Sequence, residues 1–313
     1  MNAIANTNTS NIASVAAITV EQAKTAFDML PISQVTKDNY KRCIGEFIKY
    51  IHEHGLTANT LVEYRNYLDT RTDYSISTKN KYFTTAKRYA GVLFGAGLIP
   101  RDITKDISGA PIKGFKQSTK HKKDGIQPSE IEAIAKYIDG LGNTRKAARI
   151  KAMLALFVYQ GLRQIEVARL DVTDLDLQRG TALILGKGRD DKEPIALHPY
   201  TVDALNDYLS IYNKKSGALF TSESPRAYGN RLTTRSIRRI VEQILSDLDI
   251  HNSTHGFRHY FVTNLIQNYH GDLLAVMHYT RHKSIGMLEV YNDALNAKAD
   301  LPRFVKAFAG VHI

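Results

Sequence analysis

Apolar residues recur every three to four positions through the first third of the chain, which is the spacing of one face of an α-helix. Polar residues that favour helix N-termini precede each apolar series. Four helices are predicted here, beginning at Thr19, Thr36, Asn59 and Ser77. Glycines at positions 95 and 97 end the fourth helix. Residues 19–108 are therefore predicted to form an all-helical domain, preceded by a flexible tail at residues 1–18.

A second pattern begins after residue 124, where two short aliphatic runs interrupt the helical spacing. The runs at 181–185 (TALIL) and 194–197 (PIAL) flank a Gly-Lys-Gly turn and predict a β-hairpin. Helices are predicted at residues 128–138, 144–159, 199–212, 233–248, 254–268, 271–279, 284–291 and 302–308. The fold class predicted for the chain is mainly α with a small β-hairpin or sheet, and residues 125–313 are predicted to form a mixed α+β domain.

The segment between the two patterns is strongly basic. Residues 109–124 hold two glycines, one proline and five lysines against a single aspartate, which predicts a linker. The whole chain has 42 Lys and Arg against 31 Asp and Glu, a net charge of +11. This excess favours a polyanionic partner such as nucleic acid, with simple solubility as the alternative explanation. The linker is accordingly predicted to follow a phosphate backbone as well as to join the domains.

Cysteine content and hydropathy indicate the cellular compartment in which the protein is expected. The single cysteine, Cys43, cannot form an intramolecular disulfide, and its apolar neighbours at helical spacing predict that it is buried. Residues 1–18 lack the basic segment and long apolar core of a secretory signal. No apolar run approaches the roughly 20 residues that span a bilayer. These features predict a cytoplasmic protein with no membrane partner.

The first candidate functional motif is Gly161-Leu162-Arg163, followed by Glu166. The glycine ends one helix, and Arg163 lies near the N-terminus of the next, where the helix dipole disfavours a cation. An arginine in that place suggests a bound anion. Glu166 lies on the same helix face and is predicted to hold the guanidinium in place. The alternative is an ordinary surface Arg–Glu pair.

A lysine is predicted at the tip of the hairpin. Lys187 lies between two glycines, which let the backbone approach a ligand closely. From there its ammonium group can reach a phosphate or act as an acid toward a leaving oxygen. A solvated turn lysine is the alternative, and Lys192, two residues before the second predicted strand, is a competing candidate.

His255 and Arg258 lie three residues apart at the start of a predicted helix capped by Ser253 or Thr254. This spacing predicts that an imidazole and a guanidinium project from one face toward a single phosphate. His255 and His259 also have the spacing of a zinc pair, but the position after the first histidine is not the glutamate of a zinc protease. The sequence therefore does not favour a zinc site.

The last motif joins a histidine to a tyrosine. Tyr291 follows His282 by nine residues, and the segment between them is predicted to be a short helix that ends at the tyrosine. A hydroxyl nucleophile close to cationic groups suits phosphoryl transfer, which needs charge stabilisation on the non-bridging oxygens. Because the chain has 17 tyrosines, a structural role is the alternative for any one of them.

Together these motifs resemble the tyrosine recombinase, or phage integrase, family, most specifically over residues 159–197 and 253–292. In that family the active site combines an Arg in a G-L-R-x-x-E motif, a hairpin Lys, an H-x-x-R pair, a His or Trp, and a nucleophilic Tyr. The matching residues here are Arg163, Lys187, His255, Arg258, His282 and Tyr291. The family usually has Leu-Gly before the second histidine, whereas this chain has Thr280-Arg281.

The resemblance implies a site-specific DNA recombinase of the integrase or resolvase type, which cuts and rejoins DNA through a 3′-phosphotyrosyl intermediate. It implies that residues 19–108 are a core-binding domain that clamps DNA and that residues 125–313 are the catalytic domain. It implies no cofactor and no metal, because the cationic pocket takes the place of a metal. A tyrosine topoisomerase of the type IB kind is one alternative function. A non-catalytic basic DNA-binding protein, with a structural Tyr291, is the other.

The resemblance also implies the partners. They are a double-stranded DNA recombination site and further copies of the chain, four in the synapse, with the need for accessory DNA-bending proteins left open. Residues 292–313 combine a polar stretch with apolar residues at helical spacing, which indicates a tether followed by a face that must be buried. The resemblance favours docking of this assembly segment on a neighbouring subunit, and folding back onto its own domain is the alternative.

Overall fold

The computed structural model describes residues 18–106, 108–116, 125–186, 188–293, 295 and 302. The chain divides into two compact units, residues 1–118 and residues 119–313. Both are built mainly of helices, and the second contains a small three-stranded sheet, so the predicted fold class is confirmed. Residues 1–17 of the predicted tail (1–18), and all but positions 292, 293, 295 and 302 of the predicted assembly segment (292–313), lie outside the described residues.

The first unit contains four helices in its described part: α1 Val20–Asp28, α2 Gln34–His54, α3 Thr60–Thr70 and α4 Ile76–Gly95. Thr19 caps α1 as predicted, and Gln22 completes a reciprocal capping box. The predicted starts of α2 and α4 are wrong by two to three residues, because Ser33 and Ser75 are the N-caps. The apolar faces meet in one aromatic-rich core that includes Phe27, Phe47, Tyr64, Phe83 and Tyr89.

Part of the segment predicted as a linker lies against the core of the first unit. Ile112 is buried, and Phe115 packs against the same cluster. The Arg65 guanidinium lies over the Phe115 ring at 4.6 Å and donates to the carbonyl of Lys113. Residues 109–116 therefore extend the helical unit along its surface, and residues 117–124 are outside the described part.

The second unit is assembled around a long core of aliphatic and aromatic side chains. Its helices are α5 Pro128–Gly140, α6 Arg145–Val158, α7 Gln164–Arg169, α8 Pro199–Tyr212, α9 Thr234–Asp247, α10 Thr254–Asn268 and α11 Leu273–Thr280. Residues 286–293 are also helical. The strands β1 Leu175–Asp176, β2 Thr181–Leu185 and β3 Lys192–Ala196 form an antiparallel sheet in that order.

The sheet shows where the prediction was incomplete. Strand β1 was not predicted, because two residues are too few to display an alternating pattern. Strand β3 begins two residues earlier than predicted and contains Pro194. A proline is tolerated there because β3 is an edge strand, so no neighbour on its outer side requires the missing N–H. Lys187, the lysine predicted at the hairpin tip, lies between β2 and β3 in the sequence.

Candidate active site

The Arg163 motif is a tight turn between α6 and α7. Gly161 has a positive φ of 55°, and a Cβ at this position would collide with the ring of Phe261. Arg163 is the N-cap of α7, and its backbone N–H donates to Glu166 Oε2 at 2.7 Å. Its guanidinium Nη1 donates to Glu166 Oε1 at 2.9 Å. The predicted Arg163–Glu166 pair is therefore present, and the glutamate side chain is fully buried while that of Arg163 is 26% exposed.

Arg258 is the most deeply buried cation of the site. It lies on α10 and is only 3% exposed. Its Nη1 donates to the carbonyl of Gly161 at 2.7 Å, and its Nη2 donates to the carbonyl of Thr280 at 2.6 Å. Burial lowers the pKa of Arg258 to about 10, and the positive charge of Arg163 adds to the effect. The guanidinium therefore stays charged at neutral pH and joins two separate segments.

His255 lies one turn before Arg258 on the same helix, which is capped by Ser253. The imidazole is exposed, whereas the guanidinium is buried. The i, i+3 spacing predicted that both side chains project together, but packing places Arg258 among the buried residues Phe257, Val262 and Ile266. His255 is therefore accessible to solvent, whereas Arg258 is almost completely enclosed by the protein.

His282 lies between a buried hydroxyl and the Arg258 guanidinium. Its Nδ1 is 2.7 Å from Thr280 Oγ1, and its Nε2 is 3.4 Å from Arg258 Nη2. Because arginine can only donate, Nε2 must accept and Nδ1 must carry the proton. Burial lowers the pKa of His282 to about 3, with Arg258, Arg163 and Arg281 contributing through charge repulsion. His282 is therefore a neutral imidazole at physiological pH in this arrangement.

Tyr291 lies on the helical segment 286–293 and packs against the buried residues Val262, Ile266, Val276 and Leu288. Its ring centroid is 6.3 Å from that of His282 and 4.7 Å from that of His259. Burial raises the pKa of Tyr291, while the charges of Arg258 and Arg163 oppose that rise. The phenol is therefore protonated at neutral pH, and it would need an acceptor for its proton to act as a nucleophile.

Arg281 makes contacts with the residues around Arg163 that its sequence motif did not predict. It ends α11 in the left-handed conformation, with φ at 56°. Its Nη2 lies 2.9 Å from Glu166 Oε2, and its Nε lies 3.4 Å from Glu193 Oε1. The side chain is only 7% exposed. These partners are 115 and 88 residues away in sequence, so local spacing carried no sign of them.

The two candidate lysines differ in what the structure records. Lys187 lies outside the described residues, although its hairpin neighbours are described. Lys192 opens β3 and forms an ion pair with Asp174, whose carboxylate is almost fully buried. Residues 188–191 line an open cleft of about 920 Å³ together with His282 and Lys283. The hairpin tip therefore borders the same space as His282.

The structure thus brings Arg163, Arg258, His282 and Tyr291 into one neighbourhood from distant parts of the chain. Across the part of the chain that the structure describes, no group of three or more His, Cys, Asp or Glu side chains could hold a metal ion. None of the described helices is long and apolar enough to cross a membrane.

Comparisons with known proteins place this arrangement in a family. Residues 125–298 match the model of the phage integrase family, which is more than half of the 313 residues. A tyrosine recombinase XerD from Oceanobacillus iheyensis is 27% identical over 282 residues, covering 85% of this chain and 90% of that protein. A tyrosine recombinase XerC from Actinobacillus succinogenes is 32% identical over 165 residues, covering 51% of this chain and 54% of that protein.

Solved structures share the fold. The XerH site-specific recombinase bound to a palindromic difH substrate, in a post-cleavage complex, has a TM-score of 0.68 at 20% identity. That match covers 92% of this chain and 86% of the XerH chain. The Tn1549 transposon integrase in complex with transposon right end DNA has a TM-score of 0.65 at 16% identity, covering 92% of this chain and 100% of that one. The chain therefore belongs to the phage integrase family, the tyrosine recombinases that cut and rejoin DNA.

Proposed function

We propose that this protein is a site-specific DNA recombinase in which Tyr291 attacks a DNA phosphate. The observation that carries the proposal is the convergence of two guanidinium groups, Arg163 and Arg258, with His282 and Tyr291. A phosphodiester bound there gains a second negative charge in its pentavalent transition state, and preorganised cations stabilise that charge. Arg258 is well suited to this, because two carbonyls hold its guanidinium before DNA arrives.

In the first step the Tyr291 hydroxyl oxygen bonds to phosphorus, and the bond from phosphorus to the 5′ oxygen breaks. The products are a 3′-phosphotyrosyl ester and a free 5′-hydroxyl, and this polarity follows from the family resemblance. The ester conserves the energy of the broken bond, so rejoining needs no nucleotide cofactor. In the second step a 5′-hydroxyl from another strand attacks the ester and releases Tyr291.

Two protons must move during cleavage. We propose that His255, which is exposed on the first turn of α10, accepts the proton of the Tyr291 hydroxyl. The leaving 5′ oxygen takes its proton from Lys187. The ion pair of Lys192 with Asp174 supports this choice, because that ammonium is already engaged by a buried carboxylate.

His282 is proposed to change its role when DNA binds. In the structure its Nε2 accepts from Arg258. A bound phosphate brings negative charge that offsets the nearby arginines, and this raises the pKa of the imidazole. His282 can then donate a hydrogen bond to a non-bridging oxygen, which adds to the stabilisation from Arg163 and Arg258.

The assembly is part of the proposal. Exchange of strands between two duplexes requires paired cleavage sites, so we propose that four copies of the chain act together on a double-stranded recombination site in the cytoplasm. The assembly segment at residues 292–313 is proposed to dock on a neighbouring copy. The basic excess of the chain supports a DNA partner.

The proposal predicts strand exchange at a defined sequence. A preferred duplex is first recovered by repeated binding of the protein to random duplexes, and two copies are then placed in one plasmid. We expect deletion or inversion of the intervening DNA, measured by restriction mapping, with Tyr291→Phe as the inactive control. Relaxation of supercoils without exchange would instead identify a topoisomerase, and binding without either product would identify a non-catalytic DNA-binding protein.

A sulfur leaving group separates the two lysines. A 5′-bridging phosphorothiolate releases a thiolate, which needs little protonation on leaving. We therefore expect Lys187→Ala to slow cleavage of the ordinary duplex by about 10²-fold and to regain most of its rate on the sulfur substrate. Lys192→Ala is the matched control and should gain no more than the wild-type protein does. Selective rescue of Lys192→Ala would reassign the acid to that residue.

A further inference from the structure

Arg281 connects three segments of the second unit through one side chain. It ends α11, next to His282, and it binds Glu166 of the Arg163 turn. Its Nε also lies 3.4 Å from Glu193 Oε1 on β3, the strand that follows the hairpin tip, in an ion pair that lacks hydrogen-bond geometry. The Arg281 side chain is 7% exposed and that of Glu166 is fully buried, so this pair is shielded from solvent, whereas Glu193 is 26% exposed. A buried ion pair depends strongly on both partners, because removing one leaves an uncompensated charge.

The backbone at position 281 disfavours an arginine. The residue adopts a left-handed φ of 56°, which glycine accepts without strain and which a residue with a Cβ accepts at a cost. Nothing in the backbone therefore calls for this side chain. What the arginine contributes is its guanidinium, which joins two carboxylates that the turn and the sheet bring together.

The charges around the phosphate site make the contribution specific. Glu166 accepts from Arg163 through both of its oxygens and from Arg281 through Oε2. The guanidiniums of Arg163, Arg189, Arg258 and Arg281 face the carboxylates of Glu166 and Glu193, which leaves two net positive charges. Without Arg281 the same group would keep one net positive charge, and Glu166 would retain its hydrogen bonds from Arg163.

We propose that Arg281 is a positioning residue for DNA cleavage: it holds Glu166 and Glu193 so that Arg163 keeps its orientation and the site keeps its net positive charge toward the phosphate. The inference rests on the proposed function. Arg281 acts through Glu166, so its loss should slow the chemical step rather than weaken the binding of uncut DNA, which depends on many contacts with the phosphate backbone.

The decisive variant is Arg281→Gly, because it removes the guanidinium and relieves the left-handed backbone at the same time. The probe is a duplex recovered by selection from random sequences and nicked beside the cleavage position, so that the covalent adduct accumulates. We expect adduct formation to slow by about 10²-fold with unchanged affinity for the intact duplex. Asn213→Gly, at another left-handed helix end, is the matched control for the backbone change and should cleave at the wild-type rate.

A second substitution tests the charge argument. In Arg281→Gly combined with Glu193→Gln, the remaining charges of Arg163, Arg189, Arg258 and Glu166 again leave two net positive charges, as in the wild type. We expect the double variant to recover about 10-fold in rate over Arg281→Gly alone. If Arg281 were needed only for folding, the double variant would show no such recovery. A rate equal to that of Arg281→Gly alone would overturn the charge argument. Arg281→Lys, which keeps the charge but cannot join both carboxylates, should fall between wild type and Arg281→Gly.

The outcomes separate this inference from the proposed function. If the wild-type protein forms no adduct at Tyr291, the proposed function fails. If the wild-type protein forms the adduct and Arg281→Gly forms it at the same rate, only the role of Arg281 fails. Should Arg281→Gly lose its melting transition, Arg281→Lys becomes the test, and a wild-type rate for that variant would overturn the inference.

Discussion

Tyr291→Phe is expected to abolish the covalent adduct on a nicked duplex, a loss of about 10⁴-fold or more, while DNA binding and folding stay unchanged. The substitution removes only the attacking oxygen. The ring remains to pack against Val262, Ile266 and Leu288 and to contact the imidazole of His259. The measurement is a denaturing gel that separates the adduct from free protein.

Tyr279→Phe is the matched control for this experiment. Tyr279 lies on α11, and its side chain is more exposed than that of Tyr291. Its ring contacts that of Tyr269, with 5.7 Å between centroids, rather than the arginines of the site. We expect it to form the adduct at the wild-type rate. An adduct that survives Tyr291→Phe and disappears in Tyr279→Phe would move the nucleophile to α11.

Local pattern was sufficient to predict most helices of the second unit. The predicted ranges 199–212 and 254–268 agree with α8 and α10, because Pro199 at a first turn and Ser253 at an N-cap mark where each helix begins. In the first unit the same reasoning placed the helix starts at Thr36 and Ser77, whereas the N-caps are Ser33 and Ser75. Neighbouring hydroxyl residues are all competent caps, so only the backbone conformation decides between them.

Contacts inside the candidate site could be predicted from the sequence only in part, because most of them depend on tertiary structure. The pairing of Arg163 with Glu166 spans three residues and could be inferred from helix geometry. The protonation of His282 could not be inferred, because it depends on burial and on Arg258 and Arg163, which approach from elsewhere in the chain, as well as on the adjacent Arg281. The contacts of Arg281 were hidden for the same reason. The sequence marked Thr280-Arg281 as a departure from the family pattern, and the structure supplied its partners.

Arg258→Lys is expected to lose both stability and activity. The guanidinium reaches the carbonyls of Gly161 and Thr280 in different directions, whereas a lysine ammonium is a single point of donation on a flexible stem. Leaving one buried carbonyl without its donor costs about 1–3 kcal/mol of the free energy of unfolding, measured by denaturant titration. Adduct formation should slow by about 10²–10³-fold, because one preorganised donor to the transition state is lost.

Arg163→Lys is the variant that separates the effect on stability from the effect on the rate of adduct formation. Arg163 is partly exposed and pairs with one carboxylate rather than with two buried carbonyls. Its replacement should therefore slow cleavage by a similar factor while changing the free energy of unfolding by less. Equal losses of stability in the two variants would contradict the view that Arg258 ties the Gly161 turn to the end of α11.

The pH profile of Arg258→Lys supplies a further check. Burial and the charge of Arg163 already lower the pKa of the native guanidinium to about 10, and a lysine in the same place begins from a lower intrinsic value. Its pKa should fall toward neutrality, so the ammonium loses its proton as the pH rises. Adduct formation by the variant, relative to wild type, should therefore recover as the pH is lowered from about 9 to about 6. A ratio that stays constant across this range would mean that position 258 contributes geometry and not charge.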